Sequence, residues 1–170
     1  MACNQTLSGL VKDCAPSMGG IVEVLIANYS DVASVTASSG KVTAITMASS
    51  AKFHKYGFNR NTGSLSSNYT IDDANGVRFV ASDLVLVFNR METAKRVEIS
   101  ALAQSDLAVI VKDANGVYWY LGMDEPVRAT AGDGLSGTAR ADRNGYSITL
   151  QDNSKELPFE VDADIIEDLL

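Results

Sequence analysis

Histidine occurs once, as His54, and cysteine twice, as Cys3 and Cys14. A Ser-His-Asp triad or a Cys-His pair would have to use His54, which sits in Lys52-Phe53-His54-Lys55-Tyr56 with no nearby carboxylate to orient it. Two cysteines and one distant histidine do not complete a zinc-type ligand set. A phosphate-cradling Gly-x-x-x-x-Gly-Lys-Ser/Thr loop is missing. Gly132-Asp133-Gly134-Leu135-Ser136-Gly137 has the spacing of a dinucleotide loop only, and Asp133 would repel phosphate. It reads as a flexible loop. The adjacent acids Asp72-Asp73, Asp124-Glu125 and Glu167-Asp168 read as solvated turn or tail residues. No catalytic residue, cofactor or metal is expected.

Positive charge is also scarce. Lysine and arginine total 14 against 21 acidic residues, a formal net charge of -7. A tight grip on phosphates needs a basic surface, so nucleic acid could only lie beside this protein. Long apolar runs are absent. Leu84–Phe88 and Leu107–Val111 are strand-sized, far below the ~20 residues of a spanning helix. Residues 1 to 20 are interrupted by Asn4, Gln5, Lys12 and Asp13, so no secretory leader is expected and the cytoplasm is the expected site of synthesis. A disulfide between Cys3 and Cys14 is disfavoured in that compartment.

What remains is ample core material: 46% hydrophobic and 21% charged residues in 170. That composition excludes whole-chain disorder and predicts one domain. Residues 1–19 read as a polar N-terminal arm, 20–159 as a β-rich domain and 160–170 as an acidic, amphipathic C-terminal arm. Ile21 to Ile26 is a strand. Val32, Val35, Val42 and Ile45 predict short strands around a turn at Ser38-Ser39-Gly40-Lys41, and Phe53 to Phe58 another.

Three segments share one turn design: Asp73-Ala74-Asn75-Gly76, Asp113-Ala114-Asn115-Gly116 and Asp142-Arg143-Asn144-Gly145. Each sets Asn-Gly, which tolerates positive φ, between β-rich runs, and predicts an antiparallel hairpin. A calcium loop would need alternating carboxylates and a closing Glu, which are missing. One helix is expected, capped by Asn89 in the Asn89-Arg90-Met91-Glu92 box, with Met91, Ala94, Val97, Ala101 and Leu102 as its apolar stripe. The alternation of Val97 to Ala101 also fits a strand. The fold class is α+β, mainly β: an antiparallel sandwich or barrel of hairpins with a flanking helix and terminal arms.

Several strands are apolar on both faces: Leu84–Phe88, Leu107–Val111, Val117–Leu121 and, apart from Glu23, Ile21–Ala27. One face needs the domain core; the other needs a helix, an arm or a neighbouring subunit. With few helical residues to serve, subunit contact is the economical cover, and Val85, Val87, Val109, Val111, Tyr118 and Tyr120 are the expected interface positions. A sandwich with both faces internal competes with this reading. Trp119, between Tyr118 and Tyr120, fits a hairpin core or a sugar-stacking platform.

The block Leu107-Ala108-Val109-Ile110-Val111-Lys112-Asp113-Ala114-Asn115-Gly116-Val117-Tyr118-Trp119-Tyr120-Leu121-Gly122 resembles a strand-turn-strand of tail-tube-like proteins of tailed bacteriophages. The stretch Ser136 to Leu150, running on to Ser154-Lys155-Glu156-Leu157-Pro158-Phe159, is similar to structural proteins of phages of Bacteroides-type hosts, including crAss-like phages. The resemblance covers mainly residues 84 to 160 and implies no active site. It implies a virion protein assembled in the host cytoplasm: a subunit of a tail tube, or of a neck or tail ring. Sheets would join around an axis, sixfold or twelvefold, into a β-lined channel. Partners would be further copies, adjacent tail, neck or portal-proximal proteins, and passing double-stranded DNA that is not bound specifically. Acidic side chains would then line the lumen, with Asp72, Asp73, Asp83, Asp124, Glu125 and Asp133 as candidates, since a repelling wall lets phosphates slide. The alternative is a carbohydrate- or protein-binding β-sandwich module.

Overall fold

Two sheets pack face to face in the computed structural model, which describes residues 7–170. In chain order the strands are β1 (Ile21–Asn28), β2 (Val32–Ser38), β3 (Lys41–Met47), β4 (His54–Tyr56), β5 (Ser64–Asp72) and β6 (Val77–Asn89). Helix α1 (Thr93–Gln104) follows, then β7 (Leu107–Asp113), β8 (Tyr118–Leu121), β9 (Arg128–Leu135), β10 (Gly145–Ser154), β11 (Phe159–Val161) and the terminal turn α2 (Ile166–Leu169). The larger sheet has the order β2-β3-β11-β8-β7-β1-β4 and the smaller β5-β6-β10-β9. With 49% strand and 13% helix, the domain is α+β and mainly β, and neither sheet closes into a barrel.

The three Asn-Gly segments each join antiparallel neighbours, in two different ways. At the first two, Gly76 and Gly116 take the positive φ while an aspartate builds the turn: Asp113 of the second segment, but Asp72, the residue before the first. Asp72 accepts from the Ala74 and Asn75 amides at 3.0 and 3.2 Å, and Asp113 accepts from the Asn115 and Val117 amides at 2.8 and 2.9 Å. The third departs from expectation. Gly145 already lies in β10, paired with both Asn89 and Leu135, and the chain reverses earlier, where Asp142 accepts from Thr138 and Ala139. Ser39 and Gly40 both adopt positive φ between β2 and β3, the backbone of a tight two-residue hairpin.

The larger sheet is strongly coiled. A single 3-10 turn, Tyr29–Asp31, links β1 to β2, although five strand spacings separate them in the sheet. In a flat sheet those spacings would total about 24 Å, whereas three extended residues reach only ~10 Å. The sheet therefore curls until its β2 end approaches β1. Leu25, Ala27, Val42, Ala108, Ile110, Tyr120 and Val161 share the inside of this curl with Ile166 and Leu169 of α2. The opposite face of the same strands carries Val24, Ile26, Val109, Val111 and Leu121, which pack against Leu84, Leu86, Ile148 and Leu150 of the smaller sheet.

This arrangement corrects three expectations. Residues 160–170 are not an arm: Val161, Ile166 and Leu169 are buried, and the Phe53 amide donates to the Leu169 carbonyl at 2.9 Å. The helix is not capped by Asn89, because that residue belongs to the β6 ladder; Glu92 precedes the first turn with no side-chain cap. Its buried face is Ile99 and Leu102, packed into the core between the sheets, while Met91, Ala94, Val97 and Ala101 face outward. The 132–135 stretch is no loop either, because it forms the second half of β9. Residues 7–19 form no strand or helix and leave Leu7, Leu10 and Val11 more than 90% exposed. Cys14 is exposed, and Cys3 lies outside the described residues.

Since α2 plugs the curl, Ile166→Ala should cost about 2 kcal/mol or more in denaturant unfolding, and Leu170→Ala, at an exposed position, close to nothing. Equal and negligible effects would show that α2 is not part of the core.

Candidate functional site

The β6 strand alternates cleanly: Val80, Ser82, Leu84, Leu86 and Phe88 are buried, and Phe79, Ala81, Asp83, Val85 and Val87 are half-buried on the other side. Register then assigns the rest of that outer face. Ser64, Ser66, Asn68, Thr70 and Asp72 lie opposite the outward β6 positions on β5, as do Ser147, Thr149, Gln151 and Asn153 on β10. Asp133 and Ala131 continue it on β9. No element of the described chain crosses this face. Its composition fits: rows of Ser, Thr, Asn and Gln on β5 and β10 flank the apolar positions Val77, Phe79, Val85 and Val87 of β6, and Gln151 donates to Asp83 across them.

Both edges of the sheet are also unpaired. β5 and β9 have one hydrogen-bonded neighbour each, and neither carries the proline or lysine that commonly blunts an edge. An even number of antiparallel strands makes the two edges run in opposite directions. Another copy's β5 laid against β9 would therefore continue the antiparallel alternation.

The expected interface and lumen residues fall differently from the sequence reading. Val109 and Val111 are fully buried between the sheets and Tyr120 within the curl, so none of the three is available to a neighbouring subunit. Tyr118 is half-buried, packed at the edge of the curl, with Lys112 over its ring at 4.9 Å. Only Val85 and Val87 lie on an open face. Asp83 shares that face with them and accepts from Gln151 at 2.8 Å. Asp133 is held below the usual carboxylate range by Ser147 and by Arg143, whose guanidinium is 2.6 Å away. Asp72 builds the hairpin turn at the end of the face, with Asn75 holding its carboxyl low, and Asp73 pairs with Arg78 at 2.9 Å. Asp124 and Glu125 lie off the face, in the β8–β9 connection, where Asp124 accepts from the Lys155 amide.

Trp119 is half-buried and donates its indole N–H to Asp113 at 3.2 Å, which ties it to the hairpin. His54 is exposed on β4. Among the described residues no cluster of His, Cys, Asp and Glu is placed to hold a metal ion, and no helix is long and apolar enough to cross a membrane.

One polar residue was missed by the sequence reading. Asp152 is 2% exposed on the inner face of β10. It accepts from the Gly122 amide at 3.1 Å and from the Ser154 hydroxyl at 2.7 Å, strapping the end of β8 to the smaller sheet. Burial pushes its carboxyl above the usual range despite those bonds, with Asp124 and Glu125 adding to the effect. The alternation Ile148, Leu150, Asp152 was the available signal: a carboxylate on an apolar stripe.

The folded state disfavours the ionised form of Asp152, so wild-type stability relative to Asp152→Asn should fall as pH rises from 3.8 through the raised folded value, then level off. Urea unfolding of both proteins across pH 4 to 8 reads this difference; a gap that widens in favour of wild type as pH rises would refute it. No family model, curated protein or solved structure matches the chain.

Proposed function

We propose that this chain is a virion structural protein, a subunit of a phage tail tube or of a neck or tail ring, whose smaller sheets join edge to edge into a channel for double-stranded DNA. The observation that carries this reading is the smaller sheet itself, open on one whole face and unpaired at both edges. A sheet of this length with bare edges is a template for further pairing. Repeating β9-to-β5 contacts is a heterologous interaction, which closes into a ring when the rotation per copy divides a full turn.

The face such a ring would turn inward suits DNA passage. Its outward strand positions carry Asp72, Asp83 and Asp133 against Arg128 alone, which pairs with Asp106 at 2.6 Å. Small hydroxyl and amide side chains fill most other positions. Phosphates passing such a wall meet no row of cations and release no counterions to it. On this reading Val85 and Val87 line the channel together with Asp83, and the β5 and β9 edges make the subunit contact. The N-terminal segment, with exposed Leu7, Leu10 and Val11, is suited to reach a neighbour.

Successive residues of an edge strand alternate their N–H groups between partner and open side. Of Asn68→Pro and Tyr69→Pro, one therefore removes an N–H from the open edge of β5 and leaves the β5–β6 ladder intact. The variant that keeps wild-type thermal stability should stay monomeric by light scattering, while wild type forms rings or tubes in negative stain. A stable proline variant that assembles like wild type would count against edge pairing. A wild-type monomer that binds glycans would favour the binding-module alternative.

A further inference from the structure

Asparagine is followed directly by glycine at Asn75-Gly76, Asn115-Gly116 and Asn144-Gly145. Besides closing a turn, this pair has a reaction of its own. The glycine amide has no side chain to shield it and lies next to the carboxamide of the preceding asparagine. Attack of that nitrogen on the carboxamide carbon closes a succinimide ring. The reaction needs a glycine N–H free to lose its proton and a carboxamide free to turn toward it, so each hydrogen bond on either group raises the barrier.

The fold treats the pairs differently. At Asn115 the carboxamide is clasped on both atoms: Oδ1 accepts from the Met18 amide at 2.8 Å and Nδ2 donates to the Met18 carbonyl at 3.0 Å. The Gly116 amide donates to the Asp113 carbonyl at 3.1 Å. At Asn144, Oδ1 accepts from the Met91 amide at 2.8 Å and Nδ2 donates to the Ser136 carbonyl at 3.2 Å. Gly145 is buried in β10 between Asn89 and Leu135, and the Phe88 carbonyl oxygen lies 2.1 Å from where its β-carbon would sit. The backbone there has no room to turn.

Asn75 is held far less. It stands exposed at the tip of the β5–β6 hairpin, and its carboxamide makes one hydrogen bond, from Nδ2 to Asp72 at 2.6 Å. Among the described residues Oδ1 of Asn75 has no donor and the Gly76 amide has no acceptor. Sequence cannot be the cause of the contrast with Asn115. Asp73-Ala74-Asn75-Gly76-Val77 and Asp113-Ala114-Asn115-Gly116-Val117 are the same five residues.

We infer that Asn75-Gly76 is a self-modification site, at which the folded chain converts Asn75 into aspartate and isoaspartate while Asn115 and Asn144 keep their carboxamides. The Gly76 nitrogen gives its proton to hydroxide and bonds to Asn75 Cγ, and the Cγ–Nδ2 bond breaks to release ammonia. Water then opens the succinimide at either carbonyl; no oxidant or cofactor enters. Either product adds a negative charge beside Asp72 and Asp73. Isoaspartate also lengthens the main chain within the turn that Asp72 organises through the Ala74 and Asn75 amides. The site is independent of the ring reading.

Peptide mapping by mass spectrometry tests this on the full-length protein during incubation at mildly alkaline pH, where loss of the amide proton is promoted. Fragmentation of the peptide between Arg60 and Arg78 distinguishes Asn75 from Asn61 and Asn68. Deamidation should accumulate first at Asn75, with both isomers present. Asn115 has two more hydrogen bonds to break and should convert roughly tenfold or more slowly. In urea the two identical segments should react at equal rates, which assigns the difference to the fold. Asn75→Ser should remove the early release of ammonia. Asn115 or Asn144 converting as fast as Asn75 in the folded protein overturns the inference. So does a folded chain whose Asn75 stays intact over a time in which the unfolded chain loses it.

Discussion

The β1–β7 ladder is the wall on which both halves of the core lean. Val24 and Ile26 on β1 and Val109 and Val111 on β7 point toward the smaller sheet, while Leu25, Ala27, Ala108 and Ile110 point into the curl. Removing water from both sides of Val24–Ala27 and Leu107–Val111 leaves none of those positions neutral to substitution. It also fixes register, since a slip of one residue would exchange the two sets of side chains. The remaining elements are placed by what this wall requires: a sheet on one side, a coiled extension of its own sheet and α2 on the other.

The smaller sheet answers only one of those requirements. Its inner face supplies Leu84, Leu86, Ile148 and Leu150 to the wall, and its outer face is left to solvent. Asp152 and Ser154 mark where the apolar stripe of β10 runs out and the sheet is instead strapped to β8 by a hydrogen bond. The buried carboxylate is costly there, yet it gives the Gly122 amide a partner at the turn, where φ is +99°, a conformation that L side chains rarely adopt. Stability is thus concentrated along β1, β7 and the inner faces, leaving the edges β5 and β9 for association.

The proposed assembly uses backbone groups left without partners at the β5 and β9 edges, whose relative direction is set by the even strand count.

Much of the local structure followed from the residues themselves. Two of the three Asp-x-Asn-Gly segments closed hairpins as their turn chemistry requires, and period-2 alternation marked the inner row of β10. Runs apolar on both faces correctly required two covers for β1, β7 and β8. Which cover each face received was beyond sequence. Val85 and Val109 stand in similar apolar runs, yet one faces solvent and the other is at 0% exposure, because burial depends on what the chain lays across the strand. The same applies to residues 160–170, whose few apolar side chains looked too sparse to fold until the curl of the larger sheet offered them a socket. Local chemistry determines turns and strand faces over a few residues. The coiling of a sheet sums small twists over many strands, and only the folded chain reveals where that sum brings distant segments together.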